Sequence, residues 1–205
     1  MRVPLTAWIL GTVLTFTGLA GITRAMRPQP HVYAQLPTYG QVPPFELMNQ
    51  LGQPVSLEQL RGHVWVADFI FTRCAGQCPM LSQQMAQLAS VVAAHQTVKL
   101  VSFTVDPEWD RPEVLATYAQ AYDASHDRWW FLTGKRQTIQ WLCQQGFRLA
   151  IADGQGTLEE PITHSARMVL VDQHGVIRGY YDATDSTAQT QLRKDMEALL
   201  VAPSS

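Results

Sequence analysis

Residues 64–71 read VWVADFIF, a run in which Asp68 alone interrupts apolar, β-prone side chains. Successive side chains of a strand point to opposite faces, so a run without polar alternation has no face to offer to water. It must form a central strand covered on both sides. A second run of the same kind, VKLVSFTV, follows at residues 98–105. Between the two, Leu81, Met85, Leu88 and Val92 recur at helical spacing and predict a helix from about Cys78 to His95.

The remaining segments extend this alternation. FELMNQLGQPVSL, from Phe45, reads as a hairpin, and Ser56 with Gln59 has capping-box spacing for a short helical turn ended by Gly62. Asp110 and Glu113 bracket a helix start around Pro112 that continues through Tyr122. WWFLTG predicts a short strand, Lys135 to Gln145 a helix, and FRLAI an edge strand. ARMVLVD and GVIRGYYD predict a hairpin around Gln173-His174-Gly175, and Leu192, Met196, Leu199 and Leu200 an amphipathic closing helix. Strands alternating with helices, then a hairpin and a last helix, give a three-layer α/β domain with the element order of a thioredoxin-like fold. The chain leaves the central strand directly into TRCAGQC, so Cys74 and Cys78 are expected at the carboxyl end of that strand, where open α/β sheets place their ligands.

Ahead of the domain, Val3 to Thr23 carries no charged residue. At about 1.5 Å per residue, roughly 20 such residues span a bilayer core. Residues 1–25 are therefore expected to be a transmembrane anchor, the rival being a cleaved signal peptide with Gly18-Leu19-Ala20 as a small-residue site. Residues 26–44, rich in proline, read as a tether, and residues 45–203 as the thioredoxin-like domain. Arg2 on one side and Arg24 and Arg27 on the other leave the positive-inside rule nearly silent. Either reading of the N-terminus carries the domain out of the cytoplasm. The net charge of −2 and the lack of any Lys/Arg cluster argue against a nucleic-acid partner.

Cys78 falls in the first turn of a predicted helix and Cys74 just before it, where unpaired N–H groups and the helix dipole favour negative charge and lower a thiol pKa. Thiolate serves disulfide exchange and metal binding equally. A three-residue gap still closes as a disulfide, and it also lets two sulfurs converge on one ion at roughly 2.3 Å each. A third ligand would then be needed, and His164, in PITHSARMVLVD, is the candidate that a thioredoxin-like fold brings near the cysteines. Two thiolates and an imidazole suit copper, Cu(I) through sulfur and Cu(II) through nitrogen. On the residues alone, His164 as a plain loop histidine stays open. His31, His63, His95, His126 and His174 fit tether, loop, helix-end and turn positions.

VWVADFIFTRCAGQCPM, LVSFTVDPEWDRPEVLATYAQAY, WWFLTG and THSARMVLVDQHGVIRGYYD, in this order between Phe45 and Val201, resemble the Sco (SenC-type) copper-delivery proteins. That resemblance implies a membrane-anchored thioredoxin-fold protein that helps build the copper centre of cytochrome c oxidase subunit II. It implies Cys74, Cys78 and His164 as copper ligands and Cys74–Cys78 as the disulfide of the oxidised form. It further implies a single-pass inner-membrane protein with its domain on the periplasmic or equivalent side, where a thiol reductase must keep the dithiol available. Ala75 stands where the family commonly has proline, which makes the linker more flexible.

A different class of function uses the same cysteines: a thiol-disulfide oxidoreductase that reduces partner cysteines and does not need His164. A peroxidase reading is disfavoured because Thr72 lies two residues, not three, before Cys74. A closed zinc site would need a fourth ligand. Asp68, six positions before Cys74, is either a buried carboxylate relaying protons to a thiol or a strand-end residue facing solvent or a backbone amide. Cys143, in QWLCQQGF, reads as a small core residue.

Overall fold

The computed structural model describes residues 36–149, 151–153, 162–164 and 166–201. The expected anchor at 1–25 and the first part of the expected tether lie outside them. Among the described residues, no helix is long and apolar enough to cross a membrane.

The chain enters with β1 (Gly40–Gln41) and a hairpin of β2 (Glu46–Met48) and β3 (Pro54–Ser56). A 3-10 turn (Leu57–Leu60) leads to β4 (Val64–Ile70), α1 (Gln77–Val91), β5 (Val98–Thr104), α2 (Pro112–Ala121) and β6 (Trp129–Leu132). After α3 (Arg136–Trp141) come β7 (Ile151–Asp153), β8 (Ile162–His164), β9 (Arg167–Val171), β10 (Val176–Asp182) and α4 (Ser186–Val201). The main sheet has the order β1-β10-β9-β4-β5-β6. β4, β5 and β6 are parallel, and the other pairs are antiparallel.

All seven residues of β4 are buried, as its lack of polar alternation requires. Trp65 and Phe69 point to one face, where Phe69 stacks on Phe103 of β5 at 5.1 Å. Phe147 and Phe45 close that face, Phe147 at 6.0 Å from Trp65 and Phe45 at 5.6 Å from Phe103. The opposite face carries Asp68, with Ser102 and Phe131 beside it in register. There the Tyr118 ring of α2 packs on Phe131 at 5.9 Å, and its hydroxyl meets Ser82 of α1 at 2.9 Å. Helices on one face and the hairpin with the α3 segment on the other make the three layers.

The expected hairpin of β9 and β10 turns at Gly175, whose φ of +77° is open to glycine without strain. Three expectations are revised. Residues 36–44 do not stand away from the domain. Tyr39 N–H donates to Ile177 O and Val42 N–H to Gly175 O, both at 2.9 Å, so β1 becomes the sheet edge. FRLAI is not an edge strand of the main sheet. Helix α3 passes into a π-helical turn (Leu142–Gly146), Arg148 takes a positive φ of 52°, and the strand that follows pairs, among the described residues, with β8 alone. The helix expected to run to Gln145 therefore ends at Trp141.

The other sheet edge is covered by a side chain. Gln50 donates to Trp129 O and accepts from Phe131 N–H, both at 2.9 Å, matching the ladder groups of β6. Gln50→Ala leaves two buried backbone groups unsatisfied and is expected to cost about 1–3 kcal/mol in urea unfolding. Phe103→Ala, which empties a site touched by three other rings, is expected to cost about 3–5 kcal/mol. Val91→Ala, at a half-exposed helix position, should stay within about 0.5 kcal/mol of wild type.

Candidate functional site

β4 delivers the chain to the cysteines through Phe71, Thr72 and Arg73. Cys74 N–H donates to Phe71 O at 3.2 Å, closing a tight turn. Ala75, Gly76 and Gln77 are exposed, and α1 begins at Gln77 with Gly76 as its N-cap and no side-chain oxygen capping it. The Cys78 N–H instead donates to Cys74 Sγ at 3.4 Å. The sulfur thus occupies the place of a capping oxygen, against the positive end of the helix.

The two thiols differ in access. Cys74 is 9% exposed and Cys78 is fully enclosed. Burial pushes the Cys78 thiol well up, and the hydrogen bond with Cys74 and the charge of Asp68 push the same way. The helix start was expected to lower thiol pKa values, and for Cys78 desolvation outweighs it.

Asp68 is fully buried, and among the described residues neither of its carboxylate oxygens has a hydrogen-bond partner. Desolvation raises its carboxyl to about 7, and the Ser102 hydroxyl beside it in register, short of a formed hydrogen bond, offsets only part of that rise. The solvent-facing alternative for this residue is therefore excluded, and the carboxyl lies close enough for its charge to act on Cys78. Cys143 is a core residue in the π-helical turn, its thiol pushed up to about 12 by burial.

His164 is the last residue of β8, a strand position rather than the loop expected, with Ile151 opposite it. β9 follows it and pairs antiparallel with β4, Val169 facing Ala67. β9 runs antiparallel to β4, so its first residue, Arg167, three after His164, lies toward the end of β4 that leads into the cysteine loop. His95, His126 and His174 are exposed at other loops and turns, and His63 is half-buried in the turn before β4.

A polar network around the cysteine loop was not foreseen. Asp110 accepts the Thr72 N–H at 3.0 Å and the Thr72 and Thr104 hydroxyls at 2.5 Å each. Arg73 Nη2 donates to Asp106 Oδ2 at 2.6 Å, and its guanidinium lies 4.4 Å over the Trp109 ring. Arg136 reaches Glu108 and, at 3.8 Å, Asp106. The only sequence signal was the crowding of acidic residues in DPEWD just after a buried strand.

Residues 34–200 match the SCO1/SenC family model. The SCO1 protein homolog of Bacillus subtilis is 36% identical over 160 residues, spanning 77% of this chain and 82% of that protein. Among solved structures, BsSco, described as a Sco-family cytochrome c oxidase assembly protein with a disulfide switch, superposes with a TM-score of 0.72. It is 33% identical and covers 82% of this chain and 98% of its own. Yeast Sco1 with copper bound shares the fold, with a TM-score of 0.63 at 21% identity over 80% of this chain and 92% of that one. With the sheet order, the cysteine loop at a helix start and a family match across nearly the whole described domain, this chain belongs to the SCO1/SenC family.

Proposed function

We propose that this protein is a copper-delivery protein whose cargo ion is held by Cys74, Cys78 and His164. The observation that carries the reading is the pair of cysteines at the start of α1, the Cys78 N–H donating to Cys74 Sγ; the antiparallel pairing of β9, just after His164, with β4 supports the imidazole as third ligand. The “Putative copper-binding protein” of Stutzerimonas stutzeri, 30% identical over 177 residues, supports the cargo. Cu(I) is favoured by the two sulfurs, and Cu(II) is admitted by the imidazole. A cation there also offsets the burial that disfavours the Cys78 thiolate. Transfer proceeds by ligand exchange to the copper centre of cytochrome c oxidase subunit II, in keeping with the assembly role described for BsSco. The uncharged stretch Val3–Thr23 supports a single-pass anchor in the inner membrane with the domain on the extracytoplasmic side.

The unequal access of the two thiols favours a second activity in the same site. Cys74, the accessible one, attacks a partner disulfide and forms a mixed disulfide. Cys78 then attacks Cys74 Sγ, releasing the partner as a dithiol and leaving Cys74–Cys78 oxidised. Asp68 takes the proton that Cys78 gives up. Two electrons pass to the partner, and a thiol reductase restores the dithiol before copper is loaded.

Titration of the reduced full-length chain in detergent with Cu(I) and Cu(II) is expected to reach one ion per chain. Cys74→Ala and Cys78→Ala should abolish tight binding of both ions, and His164→Ala chiefly that of Cu(II). A wild-type stoichiometry near zero would sink the copper reading. Survival of oxidase assembly in His164→Ala cells would instead favour the reductase.

Asp68 has a raised pKa in the folded state, so its contribution is fully present below the ordinary aspartate value of 3.8 and is lost as pH rises through about 7. Wild-type stability should therefore fall between pH 4 and 8 by about 4 kcal/mol relative to Asp68→Asn, whose profile lacks this slope. The same variant should slow thiol exchange at least about tenfold. Exchange rates equal to wild type would remove the relay.

A further inference from the structure

An aspartate just ahead of a helix ordinarily caps it, and the spacing of Asp110 and Glu113 predicts that arrangement. The structure uses Asp110 otherwise. The N-cap of α2 is Arg111, and no side chain caps the helix. The Asp110 carboxylate is fully buried and turns toward the neighbouring strand end. One oxygen accepts the Thr72 N–H and the Thr104 hydroxyl, and the other accepts the Thr72 hydroxyl. Its own N–H donates to Asp106 O at 2.9 Å, and Thr104 Oγ1 accepts the Asp106 N–H at 3.0 Å.

We propose that Asp110 is a positioning residue for Cys74, clamping the exit of β4 so that the Cys74 sulfur is held against the start of α1. The inference rests on the reading of Cys74 as a ligand and reactive thiol, and it assigns the geometry of that thiol to a residue 36 positions away in sequence. Binding both the N–H and the hydroxyl of Thr72 fixes its backbone and its rotamer, two residues before Cys74. Downstream of Cys74 the chain runs through exposed Ala75-Gly76-Gln77, which offers no comparable stiffness. Without the clamp, Cys74 Sγ is free to leave the Cys78 N–H at 3.4 Å while both cysteines stay in place in the sequence. Misplacing one sulfur degrades any chemistry that needs both.

The test uses the full-length chain in detergent, as wild type, Asp110→Ala, Asp110→Asn and Thr72→Val. Tyr181→Phe is the control, since it deletes the Tyr181–Asp195 hydrogen bond of 2.7 Å between β10 and α4. Three quantities are read: Cu(II) affinity by chelator competition, the thiolate-to-copper charge-transfer band, and the disulfide fraction at equilibrium in a glutathione buffer without copper. Asp110→Ala is expected to weaken Cu(II) binding about 10–100-fold and to displace the band, as loss of outer partners of metal ligands does. Its disulfide fraction should shift several-fold. Asp110→Asn should stay within about threefold, because the amide oxygen still accepts an N–H and the amide nitrogen donates to hydroxyls that can rotate. Tyr181→Phe should lower the urea midpoint and leave all three readouts unchanged.

Wild-type affinity, band and disulfide fraction in Asp110→Ala would overturn the proposal. So would parallel losses in Tyr181→Phe, since the effect would then be one of stability. Should Asp110→Ala fail to fold, Thr72→Val decides alone: a displaced band and weaker binding support the clamp, and wild-type values reject it. If the wild type itself takes up no copper, the functional reading falls, and the disulfide fraction alone judges the clamp.

Discussion

The seven residues of β4 meet no water on either face, and the rest of the domain is arranged around that demand. Parallel β5 and antiparallel β9 occupy the hydrogen-bonding edges, helices cover the face of Asp68, and the rings of Phe45, Phe103 and Phe147 cover the face of Trp65 and Phe69. A strand enclosed in this way has a fixed register and a fixed point of exit. The cysteine loop begins at that exit, so the rigidity of the core is transmitted to Thr72 and from there to Cys74. The buried strand is the foundation of the site as well as of the fold.

That same burial accounts for the electrostatics. A carboxyl at position 68 has no solvent, and at the described residues no hydrogen-bond partner, so its proton is held to about 7. Cys78, at the first turn of α1, is enclosed by the same core and resists ionisation. Two groups that each disfavour charge stand within electrostatic reach of one another. The charge of Asp68 adds to the rise at Cys78, whose main cause is burial. On the proposed copper reading, thiolate formation and uptake of the ion become one event, so protons leave as the ion binds.

The fold was legible in the sequence where periodicity is strong and local. The runs of β4 and β5, the α1 spacing of Leu81, Met85 and Leu88, and the β9–β10 hairpin around Gly175 are each decided within about a dozen residues. Where long-range bonds decide, local patterns misread the chain. The proline-rich segment around Gly40 has no apolar period, yet it is drawn onto β10 by backbone bonds to Gly175 and Ile177. FRLAI has β-prone residues, but a π-helical turn and a left-handed Arg148 carry it away from the main sheet. The position of Cys78 in the first turn of α1 was legible from the end of the β4 run. The enclosure of Cys78 and the turn of Asp110 toward Thr72, 38 residues distant, depend on tertiary contacts that no spacing rule encodes.

Ala75, where the resemblance leads to the expectation of proline, gives the clamp its meaning. Proline would stiffen the loop from within by fixing φ just after the first cysteine. Here the loop between Cys74 and α1 is Ala-Gly-Gln and open to solvent, so stiffness has to enter from the strand side. Two connections supply it: Asp110 on Thr72, and Asp106 with Trp109 on Arg73. Both start from the same stretch, DPEWD, between β5 and α2. A loop held firmly on one side and loosely on the other keeps Cys74 in register with Cys78 at rest, yet lets its sulfur move outward when a partner draws it. In the proposed function, copper release by ligand exchange and formation of a mixed disulfide both require that outward movement, whereas Cys78, enclosed in the first turn of α1, is the fixed member of the pair.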